Sequence, residues 1–230
     1  MFFWEQKKVY KYLTFITVFY VVVLLVSNIT AVKLTSFLGF TFDGGTILFP
    51  LAYIFGDVLT EVYGYKQTRK VIWMGFFMVI FSSLIIWTVG VLPPDDLWEH
   101  QRAYDSILGQ VPRIVFASVI AYAIGEFSNS YILAKIKVAM EGRLLFVRTI
   151  ASTLVAQGLD TMIFVFIAFY GVFPNDLLLI IIVSNYIFKV GVEILFTPLT
   201  CLVVGKLKKW EEEDYYDTET NFNPFEISEK

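Results

Sequence analysis

The sequence predicts an all-α, polytopic membrane protein of six transmembrane helices, and three observations carry that prediction. Hydrophobic residues make up 57% of the 230, against roughly 45–50% in a soluble domain. The apolar residues fall in runs of about 20, the length that crosses a bilayer core, separated by short polar loops. Those loops alternate between rich and poor in Lys and Arg, as the two sides of a membrane require.

The first dozen residues carry Lys7, Lys8 and Lys11 and lead into an apolar run from Tyr12 to about Val32. That run is too long for a signal peptide and ends in SNITAVK, without a small-residue cleavage site, so it reads as a retained first helix. The linker SFLGFTFDGG turns the chain, and Thr46 to Tyr63 form helix two. After the basic loop YGYKQTRK comes an uncharged third helix from Val71 to about Leu92, stopped by Pro93 and Pro94. In the following loop Leu97, Tyr104 and Leu108 recur near helical spacing beside Trp98, which predicts a short amphipathic helix at the interface; His100 reads as a solvated side chain there. Helix four runs from Ile114 to Leu133, helix five from Thr149 to Phe173 and helix six from Leu177 to Val204. The chain thus divides into an N-terminal segment 1–11, a membrane domain 12–204 and an acidic tail 205–230, expected to be solvated and partly ordered.

Basic residues cluster at the N-terminus, at 66–70, at 135–148 and at 206–209, whereas the opposite loops hold only Arg102 and Arg113. Both termini are therefore expected in the cytoplasm, and the protein in the cell membrane. Three helices and three helices of opposite topology would form an inverted repeat, for which SNITAVK in helix one, SNYIFK in helix six and one Asp in each middle helix are the sequence support. The single cysteine, Cys201, permits no internal disulfide.

Function is sought among the intramembrane polar residues, because each is costly unless it meets protein, water or a ligand. Asp57 and Glu61 stand four apart in FPLAYIFGDVLTEVYG, on one helix face with Tyr53 a turn earlier and Phe49 a turn before that. Helix one adds Asn28 and Lys33; helix four Glu126, Asn129 and Ser130; helix five Gln157, Asp160 and Thr161; helix six Asn185, Lys189 and Glu193 in one stripe. Five carboxylates against two ammonium groups cannot all stay ionised and unpaired in a poorly hydrated interior. Substrate contact is expected of Asn28, Phe49, Tyr53, Asp57, Gln157, Asp160, Asn185, Lys189 and Glu193. Proton coupling or gating is expected of Lys33, Asp57, Glu61 and Glu126, with Asp57 and Glu61 sharing a proton. The plainer alternatives are an ion pair that glues helices for Lys33 or Lys189, snorkelling for Glu61, and an interhelical hydrogen-bond cluster around Glu126.

No Gly-rich phosphate loop or Cys/His metal set is present, and one histidine leaves no Ser-His-Asp arrangement, so no cofactor, nucleic acid or ATP hydrolysis is expected. An intramembrane aspartyl protease would pair Asp57 with Asp160, but neither stands in a YD or GxGD context.

FPLAYIFGDVLTEVYG followed by YKQTRKVIWMGF resembles the signature of the queuosine precursor transporter family, also described as vitamin uptake transporters. The resemblance continues through GEFSNSYILAKIK, STLVAQGLDTMIFVFIAFYG and NYIFKVGVEILFTPLT. It implies import of 7-deazaguanine precursors of queuosine, such as 7-cyano-7-deazaguanine, by a chain that is not an enzyme. The expected partners are then a nucleobase-like substrate and the bilayer, with a homodimer as the assembly left open. A guanine-like edge suits the inventory: Asp160 or Glu193 accepting from its N–H groups, Asn185, Gln157 or Lys189 donating to its carbonyl, and Phe49 or Tyr53 as an aromatic wall. The alternative in another mechanistic class is a substrate-capture subunit of an energy-coupling-factor importer.

Overall fold

The computed structural model describes residues 10–37, 40–170 and 174–226. Helix α1, Leu13–Thr30, buries Ile16, Tyr20, Val23 and Leu24, a stripe at helical spacing, and leaves Phe15, Val18, Phe19 and Val22 on its outer side. The linker expected to be a plain turn is a small antiparallel hairpin, β1 (Leu34–Phe37) with β2 (Phe40–Asp43), in register from Leu34 opposite Asp43 to Phe37 opposite Phe40.

The expected second span is built in three pieces: a 3₁₀ turn Gly44–Leu48, helix α2 (Phe49–Val58) and a π turn Leu59–Tyr63. Pro50 stands in the first turn of α2, where a missing N–H costs no hydrogen bond. Residues 52–54 and 56–65 are all buried, enclosed by α1, α3, α5 and α7. This is therefore the central element of the bundle rather than a lipid-facing helix, which is why its apolar residues run round the whole circumference.

Helix α3, Tyr65–Val91, starts six residues before the expected Val71, and Val91 closes it ahead of Pro93. Its first turn is stabilised from elsewhere in the chain, since the Asp217 carboxylate accepts the Tyr65 N–H at 3.0 and 3.2 Å. The expected interfacial helix is α4, Gln101–Ile107, and Tyr104 ties it back to α3 by donating its hydroxyl hydrogen bond to the Ile86 carbonyl at 3.1 Å. Helices α5 (Val111–Ala139), α6 (Leu145–Phe169) and α7 (Asn175–Glu211) complete the bundle. The expected end of helix five at Phe173 lies outside the described residues. Helix α7 continues seven residues past the expected Val204 and contains Pro198 in its interior.

Among the described residues five helices are long and apolar enough to cross a membrane: α1, α3, α5 with its α4 lead-in, α6 and α7. Together with the enclosed α2, they make a polytopic all-α membrane protein.

The tail is not a solvated extension. From Asp214 to Phe225 it lies along the end of the bundle where the basic loops gather. Tyr215 N–H donates to Val62 O at 3.3 Å, Tyr65 hydroxyl to Phe222 O at 3.1 Å, and Trp73 Nε1 to Pro224 O at 2.7 Å. Arg69 donates to the carbonyls of Asn221 and Asn223. Phe222 is held between the rings of Tyr65 and Tyr131, at 5.0 and 5.1 Å, with the Lys135 ammonium 4.3 Å from its centroid.

Candidate substrate-binding site

Two polar rows converge on α2. On α5, Ser118, Tyr122, Glu126 and Asn129 follow one another at three- or four-residue steps, and Ser130 and Lys137, seven apart, extend the same face. On α6, Thr149, Thr153, Gln157 and Asp160 are spaced likewise with Arg148, Ser152 and Thr161 beside them, and all seven are buried. α5 and α6 pack along their length, so the rows form one polar column beside Asp57, Thr60 and Glu61.

At one end of this column lie two small chambers. The first is lined by Pro50, Tyr53, Gln157, Lys189, Val192 and Glu193. The second is lined by Ser27, Asn28, Ser118, Tyr122, Thr161 and Asn185, with Asp160 and Lys189. Counting the solvent space open at their mouths they take up about 230 and 590 Å³, so the second is the larger. Lys189 lines both and donates to Asp160 Oδ2 at 2.7 Å, with the two side chains 8% and 5% exposed. That ion pair therefore stands between the chambers.

The lining is rich in buried polar atoms without a hydrogen-bond partner among the described residues. They include Asn28 Oδ1, both Gln157 amide atoms, Thr161 Oγ1 and Glu193 Oε1. Native interiors satisfy nearly all such atoms, and a ligand or water is what usually completes them. Asn28 uses its Nδ2 on the Leu24 carbonyl at 2.9 Å, which leaves Oδ1 turned to other use. The Phe49 side chain lies outside the described residues, so its expected part as an aromatic wall has no description here. The sequence reading missed Tyr122, whose ring lies edge-on to Tyr53 at 6.3 Å and whose hydroxyl shares a 2.9 Å hydrogen bond with Tyr20. Its place four residues before Glu126 was the available signal.

Asp57 lies deeper in the column. Its Oδ1 accepts from Asn129 Nδ2 at 2.8 Å, and its Oδ2 has no partner among the described residues. Neither oxygen of Glu126 has one, and the carboxylate rests on Gly56, where any Cβ would collide with it. Ser130, expected to cluster with Glu126, instead receives a 3.1 Å hydrogen bond from Thr60.

Glu61 is placed otherwise than expected. It is paired with Arg148, with Lys208 at 3.2 Å and with Lys137 at 3.7 Å, all at the basic end, so three cations rather than Asp57 are its partners. Arg148 and Lys137 are themselves buried, and Lys137 also donates to the Glu61 carbonyl at 2.7 Å. These partners lie 76 to 147 residues away in sequence, which is why spacing within helix two did not reveal them. Lys33 is exposed in the turn after α1 and lines neither chamber; its backbone carbonyl accepts from Gly44 N–H at 2.7 Å.

Membrane-crossing helices around a buried polar column with ligand-ready chambers define a multi-pass membrane transporter. The family is shown directly by sequence: the profile described as "Putative vitamin uptake transporter" matches residues 43–203, and the chain belongs to that family. A Bacillus subtilis (strain 168) protein named "Probable queuosine precursor transporter" is 31% identical over 173 residues, covering 75% of this chain and 76% of the relative. The Escherichia coli (strain K12) "Queuosine precursor transporter" is 28% identical over 209 residues, 89% of this chain and 92% of the relative. No solved structure matches. The chain is a transporter by family, not an enzyme.

Proposed function

We propose that this protein imports 7-deazaguanine precursors of queuosine, with 7-cyano-7-deazaguanine as the first cargo to test. The names of its relatives support the cargo class. The observation that carries the site is the Asp160–Lys189 pair between the two chambers. A guanine-like edge presents two adjacent N–H donors and a carbonyl. A carboxylate beside an ammonium presents the complement, acceptors next to a donor, already desolvated and held in place. In this reading the bicycle enters the larger chamber against Tyr122, its donors replace Lys189 on Asp160, and Lys189 or Asn185 turns to the carbonyl. Gln157 and Glu193 receive the remaining polar groups, and Tyr53 closes the smaller chamber.

Coupling is to protons, carried by Asp57 and Glu126. Both are buried and, among the described residues, hold an oxygen outside any hydrogen bond and form no ion pair with a cation side chain, whereas Glu61 is paired with three. A buried carboxylate so placed is far less costly neutral than ionised, and alternating access can use that difference.

The test is queuosine in the tRNA of a host that cannot make the precursor, supplied with this gene and nanomolar 7-cyano-7-deazaguanine. Queuosine is expected with the intact chain and not with Asp160→Asn. Its absence with the intact chain correctly in the membrane rejects the self-sufficient carrier. Co-purification with an ATPase would then favour a capture subunit.

A further inference from the structure

We propose that the chain's own C-terminal segment, residues 214–225, is the gate at the basic end of the transport path, closed here and released once in each cycle. The inference rests on the transporter reading but not on the identity of the cargo. The path leads to this segment. From the chambers the polar column descends through Gln157, Thr153 and Thr149 on α6 and Asp57 with Asn129 between α2 and α5. It continues through the hydroxyl chain Ser130, Thr60 and Thr68 and reaches Glu61 with Arg148. Its end is covered by Asp214 and Tyr215, since Lys137 donates at once to the Glu61 carbonyl, to Asp214 at 2.6 Å and to Tyr215 O at 2.6 Å.

The closure is specific. Lys208 bridges Glu61 and Asp214 at 3.2 and 2.8 Å, so one ammonium on α7 joins the last charge of the column to the segment that covers it. The Tyr215 ring lies on Gly64, a position with φ of 80° and no side chain to hold it off. Asp217 caps the first turn of α3. Asp214 meets two cations at once, Lys137 at 2.6 Å and Lys208 at 2.8 Å, so the charges at this point are complementary.

The attachment is also of a kind that opens. It consists mainly of hydrogen bonds and ion pairs to groups that water can satisfy, Asp214 is 44% exposed, and Phe225 is 73% exposed. Such segments open locally at a small fraction of the global unfolding free energy. Release frees Lys137 and Lys208, which then compete for Glu61, and bares the Thr60–Ser130 level to the aqueous side.

The experiment reads opening directly. In a Cys201→Ala chain with Ser130→Cys, reconstituted in vesicles with the basic end outward, a membrane-impermeant maleimide reports access beneath the segment. Asp214→Asn with Asp217→Asn is expected to speed labelling at least tenfold; an unchanged rate overturns the gate. Should that pair of changes disturb folding, amide hydrogen exchange on the unaltered chain decides. The N–H groups of Tyr65 and Tyr215 are expected to exchange at least tenfold faster than those of Ile72 to Phe76 in α3, and exchange at the α3 rate overturns the inference. Labelling that accelerates in a chain that imports no 7-cyano-7-deazaguanine leaves the gate standing and removes only the cargo.

Discussion

Glu126 on α5 rests its carboxylate on the bare Cα of Gly56 on α2, one residue before Asp57. A methyl at 56 must displace that carboxylate, and because the obstacle is the end of a flexible side chain the fold survives. Gly56→Ala is therefore expected to insert and fold normally while losing most of its uptake. Shortening the acid with Glu126→Asp in the same chain is expected to restore a measurable part. Uptake at the parental rate in Gly56→Ala alone would falsify the part assigned to Glu126.

Arg148 and Lys137 lie buried with Glu61 as their common anion. Removing one partner of a buried pair leaves the other uncompensated, at about 3–5 kcal/mol. Glu61→Gln is expected to lower thermal stability by that order in detergent. Restoring the parental charge balance with Arg148→Met in the same chain is expected to recover more than half. A Glu61→Gln chain as stable as the parent would show that the cluster is not closed in the membrane.

Asp160 and Lys189 can be exchanged. If their bond only joined α6 to α7, Asp160→Lys with Lys189→Asp would keep both stability and uptake. The recognition proposed above predicts a stable chain that has lost uptake, because the acceptor and donor sides are reversed with respect to the cargo. Thermal melting and uptake measured on the same preparation separate the two outcomes.

Acid acts on the tail in a defined direction. Burial pushes the Asp214 carboxyl up, but hydrogen bonds from Lys137 and Lys208 more than offset it and hold the group below the usual carboxylate range. Its contribution to docking is therefore complete above the undocked value of about 4 and lost as pH falls through the lower docked one. Asp217 works the other way, burial pushing it up against the hydrogen bonds of Thr220 and the Tyr65 amide, so it is removed as Asp217→Asn. In that background, with Glu61 facing the same two lysines, a dye at Glu219→Cys is expected to keep its anisotropy from pH 7 to 5 and lose it below about 4. Adding Asp214→Asn is expected to abolish the acid step.

Much of this was legible because membranes restrict the choices. Apolar runs and basic loops placed α1, α3, α5, α6 and α7, with described ends up to seven residues from those expected, and the stripe Asn185, Lys189, Glu193 announced a polar face on α7. The π turn at 59–63 was not legible, because the helical spacing of Asp57 and Glu61 suits an uninterrupted α-helix equally well. The three cations on Glu61 and the docking of the tail were hidden for a different reason: both are made by residues far apart in sequence, and composition alone marks an acidic, aromatic tail as solvated. The hairpin 34–43 follows from its β-branched and aromatic residues, which a short linker concealed.

Helix α7 carries the chamber residues Asn185, Lys189 and Glu193 near its middle and Lys208 close to its end, about 29 Å further on at helical rise. It is a lever arm with its own fulcrum. Pro198 gives no N–H to the Ile194 carbonyl, and just before it the Thr197 hydroxyl donates to the Glu193 carbonyl at 2.7 Å. In the recognition proposed above, cargo draws Lys189 away from Asp160, and a tilt that followed would run along one continuous helix to the ammonium that fastens Asp214. The two ends of the proposed path are thus joined by one helix without any intervening loop.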